Sequence, residues 1–289
     1  MSDDKQTPQG FASNGILYGI TRRALSVLEW AYNLSLSDPR VPEPVSELPE
    51  ITEIRDHALP RTDISDHLLP LFLEAMAVHP QLIVELGVRT GESTFSLERV
   101  ATLCGSTLVS VDIDDCARVS TCKNRTFVKS DDIAFARKFP DWCAERGIRP
   151  EIDVLFIDTS HLYDHTVQEI KSWFPFLSQN SKVFFHDTNQ RRVYYRQDKS
   201  MGIGWNSDRG VIRALQEYLG VTFDENVSFT NTWKGWIVRH NALCSGFTIL
   251  ERLNLTSPNT RRGGSNRSSS RDNDFNTADM VQECAESRP

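Results

Sequence analysis

Residues 82–94 read Leu82-Ile83-Val84-Glu85-Leu86-Gly87-Val88-Arg89-Thr90-Gly91-Glu92-Ser93-Thr94, and their reading decides the fold. The first half is a short apolar run of the kind that forms a strand buried on both faces. The second half breaks it with two glycines, which let the backbone turn tightly and approach a ligand. Ser93 and Thr94 are then expected to cap a following helix. A strand that passes to a helix through a glycine turn is the opening unit of a doubly wound sheet. Downstream the unit recurs: TLVSVDI (107–113), TFVKSD (126–131), IDVLFID (152–158) and KVFFHD (182–187) are apolar runs separated by helix-length segments. Five strands are therefore expected between residues 82 and 187, then a helix at 210–219 and a closing pair of strands in 221–229 and 234–240. The expected fold class is α/β, a doubly wound, mostly parallel, Rossmann-like sheet of seven strands with an N-terminal helical extension.

In an open parallel sheet a ligand sits at the carboxyl ends of the strands, near the point where strand order reverses. The polar residues ending each run are thus the candidates. Glu85, Gly87, Gly91 and Ser93 form the first group. A dinucleotide fingerprint started at Gly87 would need glycines where Arg89 and Glu92 stand, and Glu85 and Glu92 would repel a pyrophosphate. A cationic, phosphate-free cofactor such as S-adenosylmethionine suits the loop better, its sulfonium and ammonium favoured by Glu85 directly or through water. A structural turn with an incidental glutamate is the alternative. Asp112 ends the second run about 20 residues after the glycine turn, placed to accept hydrogen bonds from ribose hydroxyls, a requirement nicotinamide cofactors share. Asp131 or Asp132 ends the third run and could receive an adenine amino group; Asp131 is preferred, with plain surface charge as the alternative.

Taken together, Glu85-x-Gly-x-x-x-Gly-x-Ser93, Val111-Asp112, Phe156-Ile-Asp-x-x-His161, and Phe185-His-Asp-Thr188 followed by Gly210-Val-Ile-x-Ala214 resemble one class I methyltransferase group. That group includes the macrocin and mycinamicin sugar O-methyltransferases and the cephalosporin-hydroxylase-like proteins. The likeness covers roughly residues 66 to 242. It implies an S-adenosylmethionine-dependent O-methyltransferase acting on a hydroxyl of a small molecule, a sugar or another secondary metabolite.

The fourth and fifth runs carry the catalytic expectation. Asp158 ends one, His161 follows three residues later, and His186-Asp187 end the next. Two strand-end carboxylates meeting at one crevice can bind a hard divalent cation, which lowers a hydroxyl's pKa and holds its oxygen in line with a methyl group. The resemblance makes Asp158 and Asp187 magnesium ligands and His161 the general base, a role that suits an imidazole neutral near pH 7. One position departs from that pattern: His186 stands where those enzymes carry an acid. The site then takes a softer ion such as manganese with His186 as a ligand, or binds magnesium more weakly, or holds no metal. Asn189 is a possible further oxygen. His165, one helical turn on, reads as an ordinary helix residue.

Composition narrows the partners. A net charge of −7 over 289 residues argues against a nucleic-acid footprint, which needs a basic surface to displace counterions. The six cysteines form no Cys-x-x-Cys pair and no metal-ligand spacing with histidine. The acidic, polar start lacks the form of a secretory signal and no stretch is apolar enough to span a membrane, so a cytoplasmic protein is expected. Residues 1–65 read as an amphipathic helix (15–34) and a proline-rich linker, the helix packing on the main domain or on a second copy in a homo-oligomer, or serving as a lid. Residues 66–250 read as the catalytic domain, with a helix at 66–78, and 256–289 as a disordered tail too poor in apolar groups to order. In the connection 190–209, Tyr194, Tyr195 and Trp205 are candidates to stack on an acceptor, and Arg191, Arg192 and Arg196 to face an acidic one. Competing functions are a metal-independent N- or O-methyltransferase, a nicotinamide-dependent oxidoreductase, and a noncatalytic protein that keeps the fold.

Overall fold

The computed structural model describes residues 11–36, 46–204 and 208–253, with the backbone alone over 11–20. Trp205, most of the proline-rich stretch and the C-terminal tail lie outside the described residues. The chain runs through α1 (Phe11–Ser35), α2 (Pro49–His57) and α3 (Ser65–Met76) into β1 (Leu82–Leu86) and α4 (Glu92–Cys104). There follow β2 (Thr107–Asp112), β3 (Arg125–Lys129), α5 (Asp132–Ala136), α6 (Phe139–Ala144), β4 (Ile152–Ile157), α7 (Tyr163–Trp173) and β5 (Leu177–His186). A hairpin of β6 (Val193–Tyr195) and β7 (Met201–Ile203) precedes α8 (Gly210–Leu219), and β8 (Phe229–Trp233), β9 (Trp236–Asn241) and β10 (Phe247–Arg252) close the fold.

The main sheet has the order β3-β2-β1-β4-β5-β10-β9-β8. From β3 to β5 every pairing is parallel, while β10, β9 and β8 are joined antiparallel. Strand alternation sorts the core into two layers. Leu82, Val84, Leu86, Leu155, Ile157, Val183 and Phe185 face α5 to α8, whereas Ile83, Leu108, Val154, Phe156 and Phe184 face α2 to α4. Strand order reverses between β1 and β4, which opens the ligand crevice at their carboxyl ends.

The fold is the expected Rossmann-like, mostly parallel one, but the sheet has eight strands rather than seven. The first strand of the closing pair is displaced from the expected 221–229: β8 begins only at Phe229 and turns into β9 through Lys234 and Gly235, both with positive φ, as a two-residue hairpin requires. The strand not foreseen is β10, which slots between β5 and β9 and completes the sheet. Nor was α2 foreseen; it starts at Pro49, where proline is tolerated as a first helical residue, and it buries Ile54 completely. The end of α1 is tied to β7, because Asn33 Nδ2 donates to the Met201 carbonyl at 3.0 Å and the Met201 N–H donates to Asn33 Oδ1 at 2.8 Å. Among the described residues no helix is long and apolar enough to cross a membrane.

Candidate active site

At the end of β1 the chain turns at Gly87, with φ +85°, and a Cβ there would meet the Asp158 carbonyl oxygen at 1.9 Å. Only glycine lets this loop lie against the end of β4. Gly91, also with positive φ, then caps α4 without any side-chain bond. Ser93 and Thr94 do not cap the helix as expected. They are its second and third residues, and both hydroxyls donate to Glu85, at 2.7 Å from Ser93 and 2.9 Å from Thr94. Ser110, beside Glu85 on β2, donates to the other carboxylate oxygen at 2.6 Å and accepts from Arg125 Nε at 3.0 Å. Glu85 is 0% exposed, and burial outweighs these bonds to push its carboxyl above the ordinary range. Direct contact of Glu85 with a cofactor cation is therefore corrected: the side chain points under α4, on the same face as Ile83, and holds β1, β2 and α4 together.

Asp112 does a related job in the loop. The Val88 and Arg89 N–H groups donate to its Oδ2 at 2.7 and 3.0 Å, and the Asp114 N–H donates to Oδ1 at 2.8 Å. Burial opposes ionisation, but these bonds prevail and hold its carboxyl below the ordinary value. Asp112 is half-buried, and a carboxylate can accept more bonds than these three. Asp131 caps α5 by accepting the Ala134 N–H at 2.7 Å and is otherwise exposed.

The other four candidates converge. Asp158 follows the last residue of β4, and His186 and Asp187 end its neighbour β5. His161 Nε2 lies 3.0 Å from Asp158 Oδ1 and 2.9 Å from Asp187 Oδ2. His186 Nδ1 lies 3.5 Å from Asp158 Oδ2 and 3.6 Å from Asp187 Oδ1, beyond good hydrogen-bond geometry, and this buried atom has no hydrogen-bond partner. His161 and Asp187 both hold left-handed backbone conformations, at φ 59° and 56°, which non-glycine residues adopt at a cost. Gly210 makes room for the His161 turn: a Cβ on it would meet the His161 carbonyl oxygen at 2.1 Å, so α8 can pack directly on that loop.

Charge follows from this geometry. Burial disfavours ionisation of all four groups, yet each sees opposite charge at close range. Asp158 is held down at about 2, mainly by the His186 charge and the His161 bond, and Asp187 falls lower still. His161 is raised to about 10 by its bonds to both carboxylates, and His186 is raised well above the ordinary imidazole value. The cluster as it stands is two carboxylates balanced by two imidazolium ions. A His161 that is neutral near pH 7 does not describe this arrangement.

Does the cluster fit a divalent cation? Ligand atoms of Asp158, His186 and Asp187 all lie within 4.8 Å of one another, and the unpartnered His186 Nδ1 is turned toward both carboxylates. Two oxygens and an imidazole nitrogen are a fitting donor set for manganese or a similar first-row ion. The Asn189 amide nitrogen donates to the Ala242 carbonyl at 2.9 Å, which fixes the orientation of its side chain.

The sequence did not single out the groups behind this cluster. Gln190 Nε2 faces His161 Nδ1 at 3.3 Å, and His186 Nε2 faces the Asp63 carbonyl at 3.3 Å. Buried His67 stacks on Phe247 and stands 5.7 Å from the His186 ring. Burial pushes the His67 imidazole down to about 3, so it stays neutral beside the charged His186. In the connection 190–209, Arg196 is buried rather than facing an acceptor; it donates to the carbonyls of Thr62, Arg61 and Met201. Tyr194 is buried against it, whereas Tyr195, Arg191 and Arg192 remain exposed.

Residues 84–188 match the family profile of a methyltransferase domain. No curated protein matches the chain. Among solved structures it is similar to a methyltransferase from Geobacter sulfurreducens, at 18% identity over 77% of this chain and 94% of that one, with a TM-score of 0.45. An O-methyltransferase from Bacillus cereus in complex with S-adenosylhomocysteine is similar at 14% identity over 77% and 97% of the two chains, with a TM-score of 0.44. The MycE methyltransferase of mycinamycin biosynthesis, solved with magnesium, S-adenosylhomocysteine and mycinamycin VI, is similar at 16% identity over 74% of this chain and 58% of that one, with a TM-score of 0.45.

Proposed function

We propose that this chain, a methyltransferase by the domain at residues 84–188, carries the methyl group of S-adenosylmethionine to a hydroxyl of a small molecule in the crevice between β1, β4 and β5. The observation that carries this reading is the meeting of Asp158, His161, His186 and Asp187 within 2.9 to 3.6 Å, directly beside the glycine turn. With Glu85 sealed away, the case against a dinucleotide rests on Arg89 and Glu92 in place of fingerprint glycines, and on the domain match. The loop 87–91 approaches the cofactor with backbone, Asp112 takes the ribose hydroxyls, and Asp131 stands at the adenine end.

In the transfer, the acceptor oxygen forms a bond to the methyl carbon, the carbon–sulfur bond breaks, and the positive sulfur leaves as a neutral thioether. The hydroxyl proton must go to a base. His161 is the group within reach of both carboxylates, and Gln190 fixes the other edge of its ring. It accepts a proton only when the carboxylates no longer hold it as an imidazolium. Asp158, Asp187 and His186 would hold a divalent cation, which when bound supplies a lowered pKa to a coordinated hydroxyl.

A second reading has an observation of its own. Two carboxylates with two imidazolium ions already balance in charge without a cation, which suits metal-independent transfer to an oxygen or nitrogen that Asp158 orients and whose proton leaves to solvent. One experiment separates these. Chelator-treated protein is given S-adenosylmethionine labelled in the methyl group and a panel of sugars, phenols and amines, with and without magnesium or manganese. Label on a hydroxyl that needs the added ion supports the first reading, and label transferred equally well without it supports the second. Binding of NAD with no binding of S-adenosylhomocysteine overturns both.

A further inference from the structure

We infer that Asp132, His165 and Glu169 form a second cation site, separate from the crevice, that takes a first-row divalent ion such as zinc or manganese. Asp132 is the first residue of α5, and His165 and Glu169 are one turn apart on the same face of α7. Ligand atoms of the three residues lie within 4.8 Å of one another. His165 Nε2 is 3.0 Å from Asp132 Oδ1 and 3.7 Å from Glu169 Oε1. Asp132 is 7% exposed and Glu169 0% exposed, so both carboxyl groups have left bulk water.

What points to a ligand is the pair of oxygens left over. Glu169 Oε1 accepts from the Thr159 hydroxyl at 2.6 Å, but Glu169 Oε2 and Asp132 Oδ2 are buried with no hydrogen-bond donor. A buried carboxylate oxygen without a donor is costly, and two acids sharing one imidazole repel each other. Burial together with the nearby Asp132 charge disfavours the ionised Glu169 carboxyl, and a cation between the two acids would relieve both. Two carboxylates and one imidazole are too few oxygens for calcium and include a nitrogen that magnesium disfavours, whereas zinc and manganese accept the set. Water completes the remaining positions. An ion here would tie α5 to α7 and fix Thr159, the residue after Asp158. It would also brace Asp131, the neighbour of Asp132. Its place is thus structural support behind both the adenine end and the crevice. The inference does not depend on methyl transfer.

The test uses the full chain and the metal salts alone. Asp158→Asn with Asp187→Asn removes both crevice carboxylates. Stripped of metal and dialysed against zinc or manganese, this variant is expected to retain about one ion per chain by elemental analysis and to melt at a higher temperature with the ion than without. Adding His165→Gln abolishes both effects. Cobalt(II) in the crevice-disabled variant, with no further substitution, is expected to shift the His165 ring-proton resonances, which keeps the test valid if the triple variant fails to fold. No retained ion and unshifted His165 resonances would overturn the inference, and would mean that a proton shared between Asp132 and Glu169 takes the ion's place.

Discussion

The carboxylates at the end of β1 and β2 and those at the ends of β4 and β5 occupy the same edge of one sheet, yet they are satisfied in opposite ways. Glu85 and Asp112 are bonded by neutral donors: three hydroxyls for the first, three backbone N–H groups for the second. Asp158 and Asp187 are bonded by the His161 imidazole and face that of His186, groups that can change charge and be displaced. Neutral donors in fixed positions make a frame. Exchangeable cations make a site where a proton or a metal ion can come and go. The comparison teaches that a strand-end acid shows its role by what donates to it, and not by its position alone.

The sharpest way to break the comparison is to remove one charge on each side. Asp187→Asn keeps the shape of the crevice and is expected to lower kcat/KM of the folded fraction by about a thousandfold or more, equivalent to ~4 kcal/mol in the barrier. Glu85→Leu should do the reverse. It strands three hydroxyls around a buried apolar group and is expected to cost about 3 kcal/mol of stability, read as a denaturant midpoint, while the protein that remains folded still turns over. If the folded fraction of Glu85→Leu is as inactive as Asp187→Asn, the division between frame and site fails.

β1, β2, β4 and the second half of β5 were legible because they are buried on both faces and read as largely apolar runs. β10 and α2 were not legible for local reasons. FTILER follows a turn and sits beside the polar tail, and α2 begins at a proline that composition marks as a breaker. In the site, Asp158, His161, His186 and Asp187 were legible because they follow or end their strands, where side chains are free to turn into the crevice. Glu85 was misread although the information was present. It lies inside β1, two residues from Ile83, and strand alternation sends both to the α4 layer. Ser93 and Thr94 were misread with it, since the donors a buried carboxylate requires are easily taken for caps. His165 was passed over because its partners, Asp132 and Glu169, meet only once α5 packs on α7.

A milder probe sharpens the contrast through pH. His161 is raised from its ordinary value to about 10 in the folded chain, so the folded state binds this proton more tightly than the unfolded state does. The resulting stability is complete below the unfolded value near 6.5 and is lost as pH rises toward 10. With chelator present, the unfolding free energy of the wild type should fall through this alkaline window, and His161→Gln should make that limb shallower, with His186 supplying the remainder. A wild-type profile flat from pH 6.5 to 10 would show that the imidazole is not held as drawn.

Asp131 makes the smallest and most discriminating case, because it belongs to the frame by its bond and to the site by its expected role. As the cap of α5 it accepts the Ala134 N–H, and a lost cap of this type costs about 1 kcal/mol. Asp131→Ala is therefore expected to lower stability by that amount and no more. Asp131→Ser separates the two duties: the hydroxyl restores the cap, while the shorter neutral side chain cannot hold an adenine amino group as a carboxylate does. If Asp131 serves only the frame, the serine variant binds S-adenosylhomocysteine as the wild type does. If it also serves the cofactor, calorimetry should show about tenfold weaker binding in the serine variant at near wild-type stability, since a bond to a charged acceptor is worth ~1.5 kcal/mol or more. The second outcome is the one expected, because Asp131 is exposed just beyond β3 and the cap engages one of its two carboxylate oxygens.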